Sequence, residues 1–148
     1  MSIHDRLRAR GIALPHAAAP VASYQPVVVD GHTAFVSGQL PFVDGELVTG
    51  KLGEGVTLEQ GQQAARACGL MILAQLEAAG LIERVAHFVK LGGFVACTPD
   101  FYDQPKVING ASDLMYEVFG DPGKHARSAV GVPALPLNAA VEVDAIVA

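Results

Sequence analysis

Two charged residues stand where charge is costly. Arg127 opens the run Arg127-Ser128-Ala129-Val130-Gly131-Val132, and Glu142 lies inside Val141-Glu142-Val143-Asp144-Ala145-Ile146, beyond the turn Leu135-Pro136-Leu137-Asn138. Charge set among apolar, β-branched neighbours is expensive unless it is paired or used. A guanidinium keeps its charge at any working pH and offers a planar fork of donors that can hold a carboxylate through two parallel hydrogen bonds. Arg127 is thus a candidate anchor for an anionic substrate. A carboxylate whose surroundings raise its pKa towards neutrality can pass protons to and from water, which makes Glu142 a candidate acid-base group. Each has a plainer reading. Arg127 could pair with a structural acid, and Glu142 could face solvent on an alternating edge strand, because Glu142 and Asp144 share one parity while Val141, Val143, Ala145 and Val147 share the other.

Spacing alone does not join the pair. A simple hairpin centred on Pro136-Leu137 sets Arg127 opposite a residue near Ile146 and leaves Glu142 displaced along the ladder. Cooperation therefore needs a bulge, a longer loop or a second chain completing the cleft. Other chemistry is poorly supported. The Gly50 to Gly55 stretch lacks the order of a phosphate-binding P-loop, and Leu58 stands where a dinucleotide fingerprint needs glycine, so a flexible loop is expected. His4, His16, His32, His87 and His125 are too scattered for a metal pattern, and no metal is expected. Cys97 has no evident basic neighbour to activate it and reads as a small buried hydrophobe. Ser37 lacks the nucleophile elbow of a triad hydrolase and reads as a hydrogen-bonding residue at a strand end.

The elements that must carry these residues follow from periodicity. Residues 1–20 read as a short helix plus an extended arm at the surface. Val27 to Val29 and Thr33 to Val36 flank Asp30-Gly31 as a hairpin, and Asp44-Gly45 repeats the signal more weakly beside Pro41. Thr57 with Gln60 makes a capping box for the longest helix, whose apolar positions Leu58, Ala65, Cys68, Ile72, Leu76 and Ala79 run to a stop at Gly80. A strand from Val85 to Cys97 is expected to break at Gly92-Gly93, through a bulge or a close backbone approach. Pro105 suits the first turn of a second helix ending at Gly120, and two final strands, about Ser128 to Val132 and Ala139 to Val147, flank the last turn as a pair. The order predicts an α+β domain, a mixed β-sheet with two helices packed on one face.

With 148 residues the chain suits one domain, which buries about two-thirds of its unfolded surface. Hydrophobic residues make up 51% and charged residues only 17%, so part of the apolar surface is expected to be covered by another subunit. The longest apolar stretch, Ala64 to Ile82, is interrupted by Arg66, Gln75 and Glu77, which argues against a membrane span. Met1 to Arg10 lacks the apolar run of a secretory signal, and Cys68 and Cys97 do not form a disulfide framework, so a cytoplasmic location is expected. A net charge of −5 disfavours nucleic acid as a partner.

Tyr24, then Val36-Ser37-Gly38-Gln39-Leu40-Pro41, then Ala126-Arg127-Ser128, Val130, Leu135-Pro136 and Val141-Glu142-Val143 together form a recognisable pattern. In it the chain resembles the Rid/YjgF family of imine and enamine deaminases, also labelled endoribonuclease L-PSP, from about Tyr24 to the C-terminus. Residues 1–20 and the loop near Gly50 to Gly55 lie outside the common core and look like a longer subgroup, with the family domain spanning 21–148. The resemblance implies a chorismate-mutase-like fold, a homotrimer with clefts at subunit boundaries, and no cofactor. It implies that Arg127 binds a substrate carboxylate, that Glu142 positions the hydrolytic water, and that Tyr24, Ser37 and Gly38 line the pocket with Ala129. Ala129 replaces a common family cysteine, and Ala22-Ser23-Tyr24-Gln25-Pro26 replaces the usual Gly-Pro-Tyr arrangement. The implied activity is that of a 2-iminobutanoate/2-iminopropanoate deaminase-like hydrolase, releasing ammonia and a 2-keto acid. A non-catalytic trimer binding small carboxylates is the alternative, and a ribonuclease, given the acidic charge, a distant third.

Overall fold

The computed structural model describes residues 1–20 and 22–148. Its first element is a helix, α1 (Ile3–Ala9), opened by a reciprocal capping box between Ser2 and Asp5. The N-terminal segment is less superficial than its composition suggests, because Leu7 is buried in the core, with Ile3, Ile12 and Leu14 packed against it.

Two strands follow, β1 (Val27–Asp30) and β2 (Thr33–Gln39), paired antiparallel. Asp30 pairs with Thr33, so the tight turn is Gly31-His32, one residue later than the Asp30-Gly31 signal suggests. Gly31 supplies the positive φ of 62° that this turn needs at its first central position. A small hairpin, β3 (Phe42–Val43) and β4 (Glu46–Leu47), turns at Asp44-Gly45 as expected. The Gly50 to Gly55 stretch is more ordered than a flexible loop: β5 (Lys51–Leu52) and β6 (Gly55–Val56) pair in parallel within it.

Thr57 and Gln60 cap α2 (Leu58–Ala78) as their spacing predicts, and Gly80 ends it at φ 71°. Next come β7 (Phe88–Ala96), α3 (Gln104–Phe119), β8 (Ala126–Val132) and β9 (Val141–Val147). The irregularity in β7 falls between Phe88 and Lys90 rather than at Gly92-Gly93. Those two glycines instead accommodate close neighbours, the Asp144 carboxylate above Gly92 and the Ile108 side chain against Gly93.

Five strands form one mixed sheet in the order β1-β2-β9-β7-β8. The expected final strand pair does not exist. β8 runs parallel to β7, and β9 pairs antiparallel with β7 on its other side and with β2. The cause is α3: a parallel neighbour requires a crossover, and the helix carries the chain from the end of β7 back to the start of β8. Helices α2 and α3 pack together on one face, where Leu91, Val95, Val141, Val143 and Ala145 meet Ile72, Leu76, Ile108 and Leu114 in a single core. The architecture is α+β, as the element order predicts. No helix among the described residues is long and apolar enough to cross a membrane.

Candidate active site

Arg127 stands on the edge strand β8, in register with Leu91 of β7, which in turn pairs with Ala145 of β9. Residues in one register row share a face, and Leu91 is fully buried beneath the helices, so Arg127 points to the helical side. There its Nη1 donates to Asn109 Oδ1 at 2.8 Å and to Ser112 Oγ at 3.1 Å. Both acceptors lie on α3, three residues apart and hence on one stripe of that helix. Among the described residues no carboxylate lies within ion-pair distance of Arg127, so the structural-acid reading fails. Neutral oxygens orient the fork without cancelling its charge. Ala129, two residues on, shares the Arg127 side through its register partner Gly93, which packs against Ile108.

Glu142 belongs to the other face. It pairs with Phe94, which pairs with Val130, in a row that alternates with the buried Val141 and Val143. β2 carries a bulge here: Val36 pairs with Ala145 and Gln39 with Val143, so Ser37 and Gly38 together span the single position of Asp144. A Cβ on Gly38 would sit 2.6 Å from Glu142 Oε2, so the carboxylate keeps this position only while the residue is glycine. Ser37 donates its hydroxyl to Gln25 O at 2.7 Å and its N–H to Pro26 O at 2.9 Å. Those bonds tie the segment carrying the half-exposed Tyr24 to the bulge. Glu142 is half-buried, and its pKa is raised first by desolvation and then by the Asp144 charge. Asp144 is itself raised by burial, against the lowering effects of the Gly92 N–H and Lys90. Glu142 is therefore not a freely solvated edge carboxylate.

The predicted residues thus fall into two groups. Glu142, Gly38 and Ser37, with the Tyr24 segment, gather on the open face; Arg127 and Ala129 lie under the helices at the far edge of the same sheet. Asn109 and Ser112 were not foreseen from the sequence, although both are polar residues between the buried Ile108, Ala111 and Leu114. Cys97 is buried, and its Sγ accepts a long hydrogen bond from Gln104 Nε2 at 3.6 Å. Burial pushes the Cys68 thiol well above its ordinary pKa. No group of three or more His, Cys, Asp or Glu among the described residues is placed to hold a metal ion.

The open face carries apolar side chains that no helix covers. Val28, Phe35 and Val130 are about half exposed there, beside Phe94 and Ile146. The chain as a whole matches a family model described as "YjgF/chorismate_mutase-like, putative endoribonuclease" over residues 4–147. It belongs to this family. Protein TCP17 of Trypanosoma cruzi is 52% identical over 144 residues, covering 95% of this chain and 90% of that protein. A 2-iminobutanoate/2-iminopropanoate deaminase of Dermatophagoides farinae is 33% identical over 138 residues, covering 93% and 94%. The crystal structure of Atu1372 from Agrobacterium tumefaciens superposes with a TM-score of 0.89 at 46% identity, covering 99% of this chain and 90% of that one. The YjgF/chorismate-mutase-like fold that the sequence pattern implied is the fold observed.

Proposed function

We propose that this protein hydrolyses imines and enamines derived from amino acids, giving 2-keto acids and ammonia, in clefts between the subunits of a homotrimer. The observation that carries the reading is the division of the site. An uncompensated guanidinium at one edge and a half-buried carboxylate on the opposite face cannot meet one small substrate within a single chain. A second copy seated on the exposed Val28, Phe35 and Val130 face buries apolar surface and brings its own Arg127 to the Glu142 of its neighbour. The deaminase name of the mite relative supports the same chemistry.

An amino-acid-derived imine carries a carboxylate. Arg127 holds it, with Asn109 and Ser112 fixing the plane of the fork, and this orients the electrophilic C=N carbon. Glu142 takes a proton from water as the oxygen adds to that carbon, which gives a carbinolamine. The same carboxyl returns that proton to nitrogen, then carries the carbinolamine's hydroxyl proton to the amino group as the C–N bond breaks, so that ammonia leaves as the carbonyl forms. A pKa raised by burial suits a group that must both accept and return a proton near neutral pH. Water is the only co-reactant.

The test is turnover of 2-iminopropanoate generated in situ from alanine. The native protein is expected to accelerate pyruvate and ammonia release, and Arg127→Ala to abolish the acceleration with the fold intact. Unchanged kinetics in Arg127→Ala overturn the reading. Arg127 with its two neutral acceptors also suits a trimer that only binds small carboxylates. Glu142→Gln separates the two: loss of turnover with pyruvate binding retained supports the enzyme, whereas a native protein that binds pyruvate without turnover supports the binding module.

A further inference from the structure

Gln39 and Gln75 are the buried polar side chains among the described residues, 6% and 3% exposed. Gln75 lies in α2 between the buried Ala74 and Leu76, where a leucine would satisfy the packing. Its amide nitrogen donates to Ala18 O at 2.7 Å and to Gln39 Oε1 at 3.2 Å. Gln39 Nε2 in turn donates to Ser37 O at 3.0 Å. The bonds run donor to acceptor from helix to strand, an arrangement in which each amide polarises the next. One end of this chain is the N-terminal segment; the other is the bulge under Glu142.

Every polar group of Ser37 is thereby engaged. Its N–H and hydroxyl hold Pro26 and Gln25, and its carbonyl is held by Gln39. Gly38 follows directly, with the Glu142 carboxylate against it. A shift of the bulge displaces the surface on which Glu142 rests.

We propose that Gln75 and Gln39 are positioning residues, which lock the Ser37-Gly38 bulge beneath Glu142 and make the N-terminal segment, through Ala18, a structural part of the acid half of the site. The kinetic consequence rests on the hydrolase reading; the structural one does not. Two readouts on the intact chain keep them apart: hydrogen exchange at the Ser37 to Gln39 amides, and kcat and KM for 2-iminopropanoate.

In Gln75→Leu, exchange at Ser37 to Gln39 is expected to rise by at least about tenfold while amides of α3 stay unchanged. The kcat is expected to fall by about 10- to 100-fold, the scale of an ångström-sized misplacement, with KM little changed because Arg127 still holds the carboxylate. The double variant Gln39→Leu/Gln75→Leu guards against a folding defect. It removes the buried Gln39 amide that Gln75→Leu leaves without its partner, so thermal stability is expected to be no lower than in Gln75→Leu. Turnover stays low, since Ser37 O has then lost its Gln39 partner. Unchanged exchange at the bulge overturns the proposal, as does faster exchange with kcat intact in an active native protein. If the native protein has no turnover, the hydrolase reading fails alone and the exchange result decides whether the relay holds the bulge.

Discussion

Glu142 rests on Gly38, its Oε2 2.6 Å from where a Cβ would stand. The contact explains a glycine in the middle of a bulged strand, because any side chain there displaces the carboxylate. Gly38→Ala is expected to lower kcat/KM by about 10- to 100-fold. The obstructed atoms are the far end of a flexible side chain, so stability falls by no more than about 1 to 3 kcal/mol. Steady-state kinetics beside thermal unfolding check both halves, and full activity in Gly38→Ala would show that Glu142 does not need this seat.

Asn109 and Ser112 act on the other half. A hydrogen bond to a charged group contributes about 1.5 to 3 kcal/mol, and Arg127 is partly exposed, so the low end applies. Asn109→Ala is expected to weaken pyruvate binding by about tenfold, and Asn109→Ala/Ser112→Ala by more. Calorimetric titration measures this directly. Equal affinity in the double variant would mean that the sheet and helix orient the guanidinium without these acceptors.

The acid-base assignment sets a direction with pH. Because desolvation first, and Asp144 second, raise the Glu142 pKa, turnover should fall as pH drops through a value above that of an ordinary glutamate. Asp144→Asn removes a negative neighbour and is expected to move this acid limb to lower pH. A limb that stays in place assigns the titration to another group. Stability responds in the opposite sense. A carboxylate whose folded pKa is raised disfavours the folded state increasingly as pH rises from its unfolded value through the folded one. Glu142→Gln is therefore expected to stabilise the fold at neutral pH while abolishing turnover.

How far the sequence was readable depended on the range of each interaction. The Thr57 and Gln60 capping box, the Gly80 and Gly120 stops and the Asp44-Gly45 turn are local, and the helices and small hairpin follow from them. Strand order was not local. Leu135 to Asn138 resembles a hairpin turn, yet β7 lies between the strands it joins, because the α3 crossover had already placed β8 beside β7. The difference bears on the site: in a hairpin Arg127 and Glu142 are mismatched along one ladder, whereas in the fold they occupy opposite faces with β7 between their strands. The family pattern picked out Arg127, Glu142, Ser37 and Gly38 but not their supports. Asn109, Ser112, Gln39 and Gln75 meet their partners only through tertiary packing, and an isolated polar residue on an apolar helix carries no sign of which carbonyl or amide it will face.

The N-terminal segment has a second attachment, and its pH dependence can be worked out. His4 is held between two carboxylates, its Nε2 2.6 Å from Glu77 and its Nδ1 against Glu83, whose carboxylate also accepts from the N–H groups of Ile3 and His4. A neutral imidazole has one N–H and one lone pair, so only the protonated ring can donate to both. Accordingly the His4 pKa is raised, by its hydrogen bond to Glu77 and then that to Glu83. The Glu83 pKa is lowered, chiefly by the His4 N–H. The histidine contribution is fully present below the unfolded histidine pKa and is lost as pH rises through the raised folded value. The Glu83 contribution is present above its unfolded pKa and is lost as pH falls through the lowered one. Attachment of α1 is thus expected to be strongest between those limits and to loosen on the alkaline side. NMR titration of the His4 ring together with proteolysis of residues 1–20 across that range measures it. His4→Gln should be cut at a pH-independent rate there, and a native protein cleaved no faster above the raised His4 pKa than between the two limits would show that Leu7 and its apolar neighbours alone hold the helix.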